Sequence, residues 1–184
     1  MTEKEQSLLN YLNMHGLLLC NQNKYLPSLF DVGGDWDSIV SLIEKREVFY
    51  CKVYKKRTSY LSRELYFLLK RDKQSMLAIP ALSIDIYNFL YDNGPADTET
   101  IKNMLMLSKK SFDDAFDILL ERMQVTATKI GKMLGKSWST FVWGTYADWE
   151  KGVLPVSTDM DDYNRLFRIL NSILTEKEIL KIIS

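Results

Sequence analysis

The apolar positions change period several times along this chain, and each change marks an element. Behind Thr2, with Glu5 at the spacing of a capping box, Leu8, Leu9, Tyr11 and Leu12 fall on one helical face until Gly16 stops the run. LLLCNQNKYLPSLFDVGG is mostly irregular, punctuated by Pro27 and the Gly33–Gly34 pair. Trp36, Ile39, Val40 and Ile43 then return at helical spacing, predicting a helix from Asp35 to Arg46. In VFYCKVYKK the period drops to two. Phe49, Cys51 and Val53 alternate with Tyr50, Lys52 and Tyr54, the pattern of a strand with one face buried. A turn over Lys56 to Thr58 leads into a second short strand, and Ser62 caps a helix reaching Arg71. The polar run RDKQS, near residues 71–75, is the boundary candidate.

The second half has a plainer cadence. A helix over Ser83–Asn93 turns Ile86, Phe89 and Leu90 inward and stops at Asn93–Gly94–Pro95. A short helix follows from Asp97 to Met106. Ser108 caps a third, with Phe112, Phe116, Leu119, Leu120 and Met123 on one stripe. Two strand-like runs, VTATKI and STFVWGTY, flank the loop GKMLGKSW. Three helices, a strand, a glycine-containing loop and a strand give the order of a winged helix. Beyond Pro155, Thr158 with Asp161 and Thr175 with Glu178 open two further helices, expected to pack over both halves. The first of them carries Tyr163, Leu166, Phe167, Leu170 and Ile173 on one face. The predicted fold is mainly α with short β-wings, an α+β chain of tandem winged-helix type. Residues 1–75 form an N-terminal winged-helix-like module, 76–152 a winged-helix domain and 153–184 a C-terminal helical segment.

Composition narrows the chemistry. The 184 residues carry 24 Lys and Arg against 24 Asp and Glu, so no overall field draws the chain to a polyanion or a membrane. No apolar run reaches the roughly 18 residues of a membrane span, and MTEKEQ does not start a signal peptide; the expected location is cytoplasmic. Cys20 and Cys51 are too few for a disulfide scaffold or a zinc cage, and they read as packed thiols. His15, the single histidine, sits where it satisfies carbonyls at a helix end. Asp31, Asp35 and Asp37 around Gly33 and Gly34 read as a turn and a helix cap; as a cation site they lack the alternating ligands of a calcium loop. There is no P-loop, no dinucleotide fingerprint and no metalloprotease helix. No cofactor, metal site or catalytic residue is expected.

Charge is nevertheless uneven. Ten Lys and Arg lie between residues 45 and 73 against three carboxylates, a local excess of seven. With Phe49, Cys51 and Val53 inward, Tyr50, Lys52, Tyr54 and Lys56 face outward together, and Lys55 and Arg57 extend the patch. Ammonium groups meet phosphates while rings stack on bases, so this surface suits nucleic acid. The plainer alternative is a strand edge guarded by lysines against aggregation. Lys129, Lys132 and Lys136 on the predicted wing would assist, or belong to a solvated loop. The third helix is different: after Lys109 and Lys110 come Asp113, Asp114, Asp117 and Glu121, which repel a polyanion. It suits a protein partner instead.

Two stretches carry a resemblance. VFYCKVYKKRTSYLS with RELYFLLK, and IYNFLYDNGPADTETIKNML through ILLERMQVTATKIGK to FVWGTYADW, resemble the bacterial winged-helix DNA glycosylases that act on alkylated or crosslinked bases. Together they cover about half of the chain. The resemblance implies a winged-helix fold and a DNA-binding role. That family's catalytic pair, Gln-x-Gln or Gln-x-Asp after the first helix, would fall near Leu19, Cys20 and Asn21, where no Gln pair stands. The expectation is a non-catalytic DNA-binding protein. A protein-interaction module is one alternative. Residual glycosylase activity is another, with Asn21–Asn23 or the Asp31–Asp37 cluster supplying the polar groups.

Overall fold

The computed structural model describes residues 1–75, 78–135, 138–156 and 161–184, and it is an α+β protein with two small antiparallel sheets. Helix α1 (Glu3–His15) starts in the predicted capping box, and Gly16 closes it at φ 75°. Strand β1 (Leu17–Leu19) follows directly. After an irregular stretch, Asp35 caps α2 (Trp36–Glu44), and the hairpin of β2 (Val48–Tyr54) and β3 (Arg57–Ser62) completes a sheet ordered β1-β3-β2. Ser62 then caps α3 (Arg63–Lys73).

The second half repeats this order. Helix α4 (Ala81–Asn93) leads to β4 (Ala96–Asp97), then α5 (Thr98–Met104) and α6 (Lys109–Glu121). The hairpin of β5 (Val125–Gly135) and β6 (Trp138–Thr145) builds a sheet ordered β4-β6-β5. In both sheets the short first strand therefore pairs with the last. Where the second half has α5, the first has only the irregular stretch after β1, pinned by a parallel bridge between Leu19 and Ser28. Much of GKMLGKSW, expected as a loop, continues the strands of this hairpin, and residues 136–137 lie outside the described residues. A short helix not read from sequence, α7 (Tyr146–Glu150), begins in a capping box of Thr145 and Asp148.

The two halves share their interior. Leu8, Leu18, Ile39 and Tyr60 of the first half join Leu90, Phe116, Phe141 and Trp143 of the second in one core. A second core lies on the other side of the first sheet, where Leu17, Phe49, Leu61 and Leu65 meet Trp149, Leu166, Leu170 and Ile179. The first sheet is thus a middle layer covered on both faces. Its C-terminal cover consists of α8 (Asp162–Leu170) and α9 (Glu176–Ile183). These helices pack chiefly on α1 and α3 of the first half, and their apolar faces share the second core with Met123 and Trp149 of the second. Thr158, expected to open the first of them, lies outside the described residues, and Asp161 is the observed N-cap. The Thr175–Glu178 capping box forms as read. A Cβ on Gly16 would sit 2.7 Å from Ile169 and 2.9 Å from Leu65, so this position needs glycine for contact as well as for φ. Among the described residues, no helix is long and apolar enough to cross a membrane.

The double cover overturns one expectation. Phe49, Cys51 and Val53 are buried as read, but Tyr54 is buried as well and Tyr50 is half-buried instead of standing out in solvent. Tyr50 packs against Tyr60, Phe141 and Trp143 at ring distances of 5.8, 5.6 and 5.2 Å. A register shift between Cys51 and Tyr54 breaks the alternation and delivers Tyr54 to the second core, 3% exposed. Trp149 fastens the two halves, with Phe49 and Tyr66 at 5.2 and 4.7 Å and its indole N–H donating to the carbonyl of Val48. Trp149→Ala is expected to cost about 3–5 kcal/mol of unfolding free energy, measured by urea denaturation.

Candidate functional site

The basic strand meets its counter-charges inside the chain. Lys52 reaches Asp117 of α6 at 2.5 Å, Lys56 reaches Glu121 of the same helix at 3.1 Å, and Lys55 lies 3.5 Å from Glu178 of α9. The basic stretch and the acidic helix, which the sequence assigns to two different partners, thus face each other. On α6, Asp113 is paired with Lys109 at 2.5 Å, and Asp114 is exposed. Lys129 and Lys132 are exposed on β5, with no carboxylate within ion-pair distance among the described residues. Their stretch leans on α2, where the Ile130 amide donates to Glu44. Lys136 lies outside the described residues.

What the strand leaves accessible is its tip. Lys55 and Lys56 form the whole connection between β2 and β3, with φ of 49° and 56°. A two-residue turn with both residues left-handed matches hairpin twist, and Asn-Gly is its usual sequence. Each L-residue held there costs about 1–2 kcal/mol. Two lysines in this place put charge at the tip despite the backbone cost. Beside them stands Tyr25, 42% exposed, with the cations of Lys24, Lys55 and Arg57 at 5.5, 4.9 and 5.3 Å from its ring centre. Tyr54 holds that ring edge-on at 6.4 Å. Tyr25 escaped the sequence reading because it sits in an irregular stretch with no period; the adjacent Lys24 was the only local signal.

A second feature lies between the halves. A cleft of about 550 Å³ is walled by Trp36, Tyr50, Tyr60 and Phe141, with Asn21, Asp35 and Asp37 among its polar lining. It brings together the two polar groups that the sequence offers as alternatives, the Asn21 stretch and the aspartate cluster. The indole N–H of Trp36 and the hydroxyl of Ser139, both lining residues, are buried without a hydrogen-bond partner among the described residues. Asp31 and Asp35 have structural duties. Asp31 accepts from the Ser28 amide and hydroxyl, while Asp35 caps α2 and pairs with Lys4 at 2.6 Å. Asp37 is exposed.

The remaining candidates are structural. His15 Nδ1 donates to the Ser172 hydroxyl at 2.8 Å, and that hydroxyl donates to the Ile169 carbonyl. The histidine therefore ties α1 to the C-terminal cover instead of closing its own helix. Burial raises the Cys20 thiol and pushes the Cys51 thiol up to about 12, so neither is a ready thiolate. Among the described residues, no group of three or more His, Cys, Asp or Glu is placed to hold a metal ion. Comparison with family models, characterised proteins and solved structures finds no match to this chain.

Several carboxyls, Asp35 and Glu178 among them, make stability sensitive to acid. The Lys4 ammonium and then the Ser38 amide hold Asp35 down at about 2, from 3.8. The Thr175 amide and then the Tyr54 hydroxyl hold Glu178 at about 2, from 4.5. Both groups take up protons less readily folded than unfolded, so their stabilisation is present above the ordinary carboxyl range and disappears toward pH 2. Thermal melts are expected to show the midpoint falling between about pH 4.5 and 2, with a smaller fall in Asp35→Asn and Glu178→Gln.

Proposed function

We propose that this chain is a non-catalytic DNA-binding protein built of two winged-helix modules. The repeated order of helix, short strand, helix and hairpin, with the first strand against the last, supports the modules. The resemblance of the two sequence stretches to winged-helix DNA glycosylases supports the DNA-binding role. One observation carries the reading: the Tyr25 ring stands exposed among the cations of Lys24, Lys55 and Arg57, beside a hairpin tip made of two lysines. Cations there neutralise phosphates, and the ring stacks on a base with little dependence on sequence. Lys56 and the exposed Lys129 and Lys132 add phosphate contacts. Lys52 contributes differently. Its side chain is 21% exposed and its ammonium is bound to Asp117, so it holds the acidic helix to the strand.

A second reading, release of a damaged base, draws on the cleft. Its aromatic walls and polar groups at Asn21 and Asp37 suit a flat ring that has left the base stack. Free base released from alkylated DNA by the wild type, and not by a chain carrying Asn21→Ala and Asp37→Ala, would establish it. Undamaged activity in that variant, or no release over a panel of lesions, would remove it.

Fluorescence anisotropy with labelled duplex and single-stranded DNA at 50 and 200 mM salt tests the first reading. Three neutralised phosphates correspond to about a 40-fold loss of duplex affinity between those salt concentrations. Lys24→Glu with Arg57→Glu is expected to flatten that slope, and Tyr25→Ala to cost about 1–3 kcal/mol on single strands. Absence of binding at 50 mM salt, or a slope indifferent to these changes, would overturn it.

A further inference from the structure

Where the β2–β3 hairpin, the end of α3 and α9 meet, a cavity of about 430 Å³ opens. Five lysines line it, Lys52, Lys55, Lys56, Lys73 and Lys181, against two carboxylates, Glu121 and Glu178. Both carboxylates are already engaged. Glu121 is held by Lys56, while Glu178 takes the Tyr54 hydroxyl at 2.9 Å and lies near Lys55.

Lys73 is the unusual member. It is the last residue of α3 and is 8% exposed, a burial that lysine almost never has unless paired. Yet among the described residues no carboxylate comes within ion-pair distance of its ammonium group. Burial first, and then the nearby Arg122, depress its pKa, against the opposing pull of Glu121 and Asp72. Lys181, exposed on α9 across the cavity, likewise has no ion-pair partner among the described residues. Lysines from three separate elements therefore surround one hollow and outnumber the acidic side chains that line it.

We infer that this cavity is a phosphate site, in which Lys73 and Lys181 grip a compact, multiply charged phosphate group within a ring formed by Lys52, Lys55 and Lys56. Ammonium groups act as point charges toward phosphate and need no planar, two-pronged partner, unlike the guanidinium–carboxylate pair. A group with several oxygens meets several ammonium groups at once. The inference goes beyond the DNA-binding reading and does not rest on it, since the phosphate belongs either to a free diphosphate or to a nucleic-acid backbone.

Isothermal titration of the full chain with pyrophosphate and with inorganic phosphate, at 50 mM salt, tests it. Pyrophosphate is expected to bind. Lys73→Met, which keeps the apolar stem, and Lys181→Glu are each expected to weaken it at least tenfold, whereas Lys110→Glu on α6 leaves it unchanged. Should Lys73→Met fail to fold, the surface change Lys181→Glu decides alone. A folded wild type that binds neither anion, or variants at both positions that bind like the wild type, would overturn the site. Labelled duplex separates the two sources. Displacement of duplex by pyrophosphate identifies a backbone phosphate, and pyrophosphate binding without competition identifies a free one. Pyrophosphate binding with no duplex binding leaves this site standing and removes the DNA reading; duplex binding with no pyrophosphate binding does the reverse.

Discussion

Burial of the first sheet on both faces is the constraint from which the remaining arrangement follows. A sheet with one face on a core leaves the other to solvent, and its strands alternate accordingly. Here Leu18 and Tyr60 enter one core while Leu17 and Leu61 enter the other. The second half of the chain must therefore sit on one face and the C-terminal helices on the opposite one. Tyr50 becomes a joint instead of a docking ring, wedged against Phe141 and Trp143 with its hydroxyl bonded to Thr58. Burial pushes that phenol up to about 12.

Once the second half is laid on β2, its third helix has to face the lysines of that strand. Exposed ion pairs contribute little stability each, roughly 0–1 kcal/mol. Their consequence here is geometric. Lys52–Asp117 and Lys56–Glu121 set the acidic helix along the basic strand and remove both from the outer surface as single-sign patches. The charge that remains uncompensated is displaced to the margins. It lies at Lys24 and Arg57 around Tyr25, at Lys129 and Lys132 on the second hairpin, and at Lys73 and Lys181 in the cavity beside α9. A neutral chain can in this way keep small, separate cationic sites.

The same packing creates the cleft. Two layers of aromatic side chains meet without filling the space between them, and Trp36 and Ser139 carry buried polar groups into it with no partner among the described residues. Most buried polar groups in folded proteins are satisfied, so these two set the cleft apart from an ordinary packed interface. The aspartates beside it divide their duties. Asp31 and Asp35 hold the backbone at the entry to α2, and Asp37 remains at the solvent side.

The sequence by itself determined the local elements. Thr2, Asp35, Ser62, Ser108 and Thr175 cap the helices they announce, because a cap is an interaction over three residues. The inward set of Phe49, Cys51 and Val53 was legible for the same reason, as was the order of three helices and a hairpin in the second half, but not β4 or α7. Of the candidate site, Lys55, Lys56 and Arg57 were legible as charge. Only the tertiary structure decided which charges are free, since Lys52 and Asp117 stand 65 residues apart. It also decided that Tyr50 is half-buried against the second half, that Tyr25 is the exposed ring, and that Lys73 and Lys181 share a cavity. Periodicity reports that a residue has two sides, but what covers each side depends on contacts between distant segments, and those arise only when the layers close.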